Sequence, residues 1–273
     1  MSFTIAFIGG GNMASSIIGG LVASGVDASR VWASDPFPES LERLRAVAPV
    51  NTTSDNAEAV AKADVVVMAV KPQIMKSVAE SIAADVQARQ PLVISIAAGI
   101  EGETLTRWLG GNLALVRCMP NTPALVRTGA SGLYANAAVS EEQRQQAQTI
   151  LEAVGTVRWF DSEAALDAVT AVSGSGPAYY FLVMEAMQAA GESLGLSPED
   201  AKALTLQTAL GAATMAINSD VEPDELRRRV TSPKGTTEKA IAALEAGGLR
   251  DVFAKAMIAC RDRSIELSRE LGD

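Results

Sequence analysis

Gly9-Gly10-Gly11-Asn12-Met13-Ala14 follows a short apolar run, residues 3–8 (FTIAFI), and precedes an Ala-rich helical stretch reaching about Ser24. A G-x-G-x-x-A loop between a strand and a helix is suited to a pair of phosphates. Gly9 permits the tight turn, Gly11 lets the backbone approach a pyrophosphate, and Ala14 keeps helix and strand close. The helix terminus at Asn12 and Met13 offers unpaired N–H groups to the anion. Glycine patterns alone also make plain tight turns. Here the strand before, the helix after and a next strand at 31–34 supply the context that dinucleotide binding demands. The end of that second strand should meet the ribose. Asp35 lies somewhat beyond the usual spacing of about 20 residues for an acid on the 2′-hydroxyl. Ser34 beside it suits a 2′-phosphate equally, and Arg43 and Arg45 come only further on. NAD against NADP therefore stays open, and Asp35-Pro36 also reads as a turn into a helix.

The composition narrows the chemistry that such a cofactor could serve. The 273 residues include no histidine, so the commonest general base and the commonest transition-metal ligand are both absent. No Ser-His-Asp or Cys-His nucleophile and no imidazole zinc site can exist, and Cys118 and Cys260 are too few for an all-cysteine one. No metal site is expected. Lys+Arg total 23 against 32 Asp+Glu, a net charge of −9 that disfavours nucleic acid and anionic membrane. The segment MSFTIAFIGG lacks the basic region and cleavage site of a signal peptide, and two cysteines make no disulfide scaffold. A reducing, cytoplasmic setting is expected. Hydrophobic residues make 48% of the chain but aromatic ones only 4%, which suits tightly packed helices and a large subunit interface.

The elements that must position these residues fall into two halves. The first alternates apolar strands (3–8, 31–34, 65–70, 92–96, near 113–118) with helices (to Ser24, 38–47, 54–62, 73–86), the pattern of a doubly wound parallel α/β sheet. Strands near 131–134 and 156–160 around a helix at 141–153 extend it. After Asp161 the strand signal vanishes, so the expected domains are residues 1–161, Rossmann-type, and 162–273, all-α. Residues 177–194 are nearly all apolar, but Glu185, Gln188 and Glu192 argue against a membrane span, and a helix apolar on every side reads as buried on every side. Ser197-Pro198-Glu199-Asp200 caps a helix to about Asn218, and helices near 223–230, 236–246 and 250–271 follow. The helical half is too short and too apolar to stand alone and is predicted to dimerise, with Tyr179 and Tyr180 in its core or interface.

Four further stretches complete a pattern. They are Ala69-Val70-Lys71-Pro72, Arg117-Cys118-Met119-Pro120-Asn121-Thr122-Pro123, Ser173-Gly174-Ser175-Gly176-Pro177-Ala178-Tyr179 and Ser232-Pro233-Lys234-Gly235-Thr236-Thr237. With the glycine loop, and in this order over the whole chain, they closely resemble the Δ1-pyrroline-5-carboxylate reductase family of proline biosynthesis. Lys234 departs from the pattern, standing where glycine or another small residue is expected. The resemblance implies reduction of the C=N bond of pyrroline-5-carboxylate to proline by NADPH or NADH. It also implies a Rossmann domain, a helical dimerisation domain, active sites formed between the two with both subunits contributing, and assembly as a homodimer or a larger ring of dimers.

By the same resemblance, Ser232 and the amides of Gly235, Thr236 and Thr237 hold the substrate carboxylate, and the Thr237 hydroxyl meets the ring nitrogen as the catalytic group. The residues themselves allow this, because a helix opening there converges free N–H groups and the positive end of its dipole, but they equally make an ordinary N-cap. Ala69, Val70, Lys71 and Pro72 become the lip along the dinucleotide, Asn56 a contact to the adenosine ribose, and Met119, Pro120 and Asn121 the border of the nicotinamide. A plain strand exit and a surface lysine are their bland alternatives. Ser175, with Gly176 and Pro177, shapes the hinge and pocket wall or simply caps a helix. A basic imine can arrive already protonated, so the missing histidine fits. Two rivals fare worse. A 2-hydroxyacid-type dehydrogenase needs a base, often a lysine on the first long helix of its helical domain, and 177–194 has none. A non-catalytic dinucleotide sensor leaves the Ser232–Thr237 loop without a purpose.

Overall fold

The computed structural model describes residues 2–272. Their contacts divide them into two compact units, 2–175 with 259–272, and 176–258. The first unit is built on eight strands: β1 (Ile5–Ile8), β2 (Val31–Ser34), β3 (Asn51–Thr53), β4 (Val65–Met68), β5 (Leu92–Ser95), β6 (Leu115–Met119), β7 (Gly129–Ala135) and β8 (Gly155–Trp159). They form one sheet in the order β3-β2-β1-β4-β5-β6-β7-β8. All neighbours are parallel except β6 and β7. The 3-2-1-4-5-6 portion is the doubly wound dinucleotide-binding order.

The apolar runs become central strands because both faces of the sheet are covered. Ile5 and Phe7 of β1, with Val65 and Val67 of β4, pack under α1 (Asn12–Ala23) and α6 (Glu141–Glu152) through Ile17, Ile18, Leu21, Ile150 and Leu151. The alternate residues Ala6, Ile8, Val66 and Met68 join α3 (Asn56–Lys62), α4 (Pro72–Arg89) and α5 (Gly102–Trp108) through Val60, Met75, Ile82, Leu105 and Trp108. Helix α2 (Pro38–Val47) adds Leu44 to the first layer. Strand register aligns the carboxyl edge. Ile8 is level with Ser34 on one side and with Met68 on the other, so Gly9, Asp35 and Ala69 leave the sheet together there.

Four elements lie outside the sequence expectations. Strand β3 (Asn-Thr-Thr) is polar and half-buried, and is held by pairing to β2 and by the Asn51 amide donating to Ser29 O and Val31 O at 2.8 and 3.2 Å. Helix α5 has only seven residues, too few to display a period. After Asp161 the chain forms α7 (Ala165–Val169) and a widened π turn (Thr170–Gly174), in which the Ser175 N–H reaches the Thr170 carbonyl at 2.8 Å. That segment packs on the sheet, since the Asn121 side chain donates to Ser173 O at 3.0 Å. The first unit therefore runs on to Ser175, beyond the compositional boundary at 161.

The second unit contains α8 (Gly176–Ser193), α9 (Pro198–Ile217), α10 (Pro223–Arg229), α11 (Thr236–Ala246) and the start of α12 (Leu249–Gly272). Gly195, at φ +100°, lets the chain turn back so that the Leu196 N–H closes on Gly191 O at 3.1 Å. Ser197 then caps α9, accepting from Asp200 N–H at 3.1 Å. The expected burial of residues 177–194 on every side is not found in one chain: only Gly176 of α8 is buried, and Tyr180, Phe181 and Leu182 are all more than half exposed. With α9 as its main helical neighbour, α8 lacks a second layer to cover it. The last part of α12 belongs to the first unit, where Ser264 donates to Asp167 at 2.7 Å and Leu267 and Leu271 lie against Gly99. Among the described residues, no helix is long and apolar enough to cross a membrane.

Candidate active site

The carboxyl edge of the sheet gathers most of the expected cofactor residues. Gly9 has φ +104°, and its N–H donates to Ser34 O at 2.8 Å. A Cβ there would stand 2.7 Å from the Ala69 carbonyl oxygen, so only glycine lets β1 leave the sheet this close to β4. Ala69 in turn donates its N–H to Ile8 O at 2.8 Å. Gly11 is extended at the start of α1, makes no side-chain cap, and has nothing within 4 Å of where a Cβ would lie. The first helical N–H groups, from Asn12, Met13 and Ala14, have no intrahelical acceptor by the geometry of a helix end. Asn12 is exposed, Met13 half-buried and Ala14 buried. Open space at Gly11 beside an uncapped helix end fits a dinucleotide pyrophosphate.

The second strand's end behaves differently from a simple ribose reader. The Ser34 hydroxyl is fully buried and donates to Asn56 Oδ1 at 2.5 Å. Asn56, half-buried, is the first residue of α3, which Asp55 caps by accepting from Ala57 N–H at 2.9 Å. Asp35 is 8% exposed, and each of its carboxylate oxygens is occupied. Oδ2 accepts from Gly10 N–H at 2.8 Å and Oδ1 from Phe37 N–H at 2.9 Å. Across β1, Val70 is half-buried and Lys71 exposed, and Pro72 begins α4.

Met119 closes β6 at the same edge, followed by buried Pro120 and Asn121. Asn121 ties loops together, accepting from Ala130 N–H at 2.8 Å with Oδ1 while its amide nitrogen holds Ser173 O. The Met119 methyl fills the space that a side chain at Gly174 would need, 2.4 Å from a Cβ there. Ser175 accepts a hydrogen bond from the Cys260 thiol at 3.2 Å, a pairing across 85 positions with no local signal in sequence. Cys118 takes no part: burial pushes its thiol up to about 12, against a partly compensating hydrogen bond with Ser131.

In the second unit, Ser232-Pro233-Lys234-Gly235 forms a turn closed by Gly235 N–H on Ser232 O at 3.0 Å. The Gly235 amide is thereby engaged in the turn, and Thr236 and Thr237 stand at the opening of α11, which has no side-chain cap. Lys234 has φ +60°, the left-handed conformation that the third position of such a turn demands and glycine adopts most easily. The departure at Lys234 thus has a backbone meaning. Its N–H is held by the Glu238 carboxylate. Glu238 was missed in sequence, because with Gly235 at the N-cap there is no Ser or Thr to complete a capping box. Ser232 and Thr236 are exposed and Thr237 half-buried. Among the described residues, no three His, Cys, Asp or Glu side chains cluster to hold a metal.

The chain's relatives agree with this arrangement. Residues 163–267 match the model described as pyrroline-5-carboxylate reductase dimerisation, and residues 4–99 match the one described as NADP oxidoreductase, coenzyme F420-dependent. A pyrroline-5-carboxylate reductase of Pseudomonas aeruginosa is 58% identical over 98% of both chains. The solved structure of one from Coxiella burnetii superposes with a TM-score of 0.95 at 47% identity, covering 98% of this chain and 99% of that one. The Plasmodium falciparum pyrroline carboxylate reductase, solved with NADP bound, gives 0.86 at 29% identity over 98% of both. A sheet edge fit for a dinucleotide, an uncapped helix opening behind a Ser-Pro turn, and identity of this extent along the entire chain place the protein in the pyrroline-5-carboxylate reductase family.

Proposed function

We infer that the protein reduces the C=N bond of Δ1-pyrroline-5-carboxylate to L-proline with NAD(P)H. The observation that carries this is the 58% identity over 98% of the chain to a pyrroline-5-carboxylate reductase. When bound, the reduced nicotinamide supplies the hydride. The chain's residues bind and orient. The N–H groups of Asn12, Met13 and Ala14 receive the pyrophosphate over Gly9 and Gly11, and Ala69, Val70, Lys71 and Pro72 line the dinucleotide's path. Ser34 and Asp35, with Asn56, form the end of β2 where the adenosine ribose would lie, and Met119, Pro120 and Asn121 would border the nicotinamide. What supports these roles is the common edge on which the elements of the first unit end.

Ser232 and the Thr236 and Thr237 amides take the substrate carboxylate, Gly235 supplies the close turn, Ser175 shapes the pocket wall, and the Thr237 hydroxyl meets the ring nitrogen. The uncapped opening of α11 supports this reading: its N–H groups and dipole favour an anion. A protonated imine needs no strong protein base, which agrees with a chain without histidine. The protein acts as a homodimer through its dimerisation segment. Further assembly into a ring of dimers rests on the family resemblance alone. A cytoplasmic location agrees with Cys118 and Cys260 both being free thiols. The test is spectrophotometric: purified protein should consume NADPH on addition of pyrroline-5-carboxylate, with a 3-hydroxyacid plus NAD as the control. No loss of reduced nicotinamide with the imine would overturn the reading.

A further inference from the structure

We propose that Asp35 is a positioning residue for the glycine loop, acting on NADH and NADPH alike, and is not the residue that distinguishes their 2′ groups. The inference rests on the reading of the sheet edge as the cofactor site. An acid just past the second strand of such a sheet ordinarily invites assignment to the ribose 2′-hydroxyl. Here the carboxylate points the other way. Oδ2 receives the Gly10 N–H at 2.8 Å, Oδ1 receives the Phe37 N–H at 2.9 Å, and the side chain is buried.

The first bond joins loops that sequence keeps 25 residues apart, and the second anchors the carboxylate within its own turn. Gly10 lies between the two glycines that shape the pyrophosphate turn, and Phe37 precedes the first residue of α2. The carboxylate therefore fixes the glycine loop against the β2–α2 turn before any ligand arrives. Charge-assisted bonds to backbone N–H groups are the stronger class, and a buried acceptor that lost them would be left unsatisfied. The two loops are in close contact here, since a Cβ at Gly10 would lie at van der Waals distance, 3.4 Å, from both Asp35 Cβ and Oδ2. Turning Asp35 outward to a ribose would break both bonds and release the loop that the phosphates need. Ser34 is likewise buried and engaged within the protein, donating to Asn56, so both side chains at the end of β2 are already held by protein partners.

The test is Asp35→Asn in the full-length protein, with KM measured separately for NADPH, NADH and pyrroline-5-carboxylate. Asparagine keeps one acceptor and turns an NH2 toward the other N–H. The positioning role predicts that KM rises about tenfold for both cofactors, with their ratio unchanged and KM for the imine unaltered. A change confined to one cofactor would show that Asp35 reads the 2′ position, and no change in either would reduce it to a fold contact; both results overturn the proposal. Wild-type turnover, measured first, separates failure of the functional reading from failure of this one. Should the variant not fold, amide exchange on the wild-type protein decides. The Gly10 N–H should be protected without cofactor and remain so with NAD+ bound, whereas loss of protection on binding NAD+ would mean the carboxylate moves to the ribose.

Discussion

Replacing Gly9 with alanine tests the geometry of the sheet edge most directly. Two costs arise together. At φ +104° a non-glycine residue carries about 1–3 kcal/mol of backbone strain. The new methyl would also meet the Ala69 carbonyl oxygen at 2.7 Å and Val70 Cγ1 at 3.0 Å. Backbone atoms cannot swing aside, so easing that contact adds about 1–3 kcal/mol more. The total, about 2–6 kcal/mol, corresponds to a fall in the thermal transition of about 4–24 °C at this chain size. Gly25→Ala is the control, because Gly25 has φ +89° but nothing within 4 Å of its Cβ position. It bears the strain without the collision. Calorimetry on both variants should show the larger fall for Gly9→Ala, and titration with NADPH should show affinity reduced tenfold or more for that variant only, since about 1 Å of displacement is costly at a positioned site. Equal transitions for the two variants, or unchanged cofactor affinity in Gly9→Ala, would refute the assignment of Gly9 to a close approach that shapes the cofactor loop.

Thr237→Ala should lower kcat/KM for pyrroline-5-carboxylate by about 10- to 150-fold, the worth of one hydrogen bond to a charged group, and leave the Kd for NADPH within twofold; unaltered kinetics would remove Thr237 from the site. Lys234→Gly should stabilise the protein by about 0.5–1 kcal/mol, the relief at φ +60° outweighing the added freedom of the unfolded chain, and a lowered transition would contradict the turn described. Cys118, with its thiol raised to about 12, is almost wholly protonated at pH 8 and below, so a thiol reagent should reach it only on unfolding. Labelling of the folded protein should thus be the same in Cys118→Ser as in wild type. Light scattering at micromolar concentration should return at least twice the 28.4 kDa chain mass, and a stable monomer would refute the dimer.

The first unit is legible in sequence because its signals are local. Val65-Val66-Val67-Met68 and Leu92-Val93-Ile94-Ser95 are short, largely β-branched apolar runs set between helices and read as covered strands, and the glycine loop states its own conformation through Gly9. What escaped is decided at a distance. Strand β3 is a strand because β2 offers it an edge, not because Asn-Thr-Thr favours one. The π turn at 170–174 answers to Asn121, about fifty positions earlier, and to the Met119 methyl. Asp35 is the sharpest case. Spacing places an acid at the end of the second strand, but its direction is set by the N–H groups of Gly10 and Phe37, and no count along the chain reveals that. Lys234 shows the opposite. Its mismatch with the family pattern was visible, and the structure turns it into a statement about φ.

The helical unit is legible in a different way. Apolar periodicity reports that a surface avoids water and is silent on what covers it. In one chain Tyr180, Phe181 and Leu182 of α8 and Leu210, Met215 and Ile217 of α9 are all more than half exposed. Burial is worth about 25 cal/mol per Å² of apolar surface, so six such side chains in water are a liability that a stable fold must remove. The match of residues 163–267 to a dimerisation family makes a second copy of the same chain the expected cover. Stability of this unit then belongs to the pair, and its unfolding should depend on protein concentration as that of an isolated domain does not. The sheet needs only its own helices to be complete. The two halves of the chain therefore read so differently because one finds its burial partners within its own sequence and the other is expected to find them in a copy of itself.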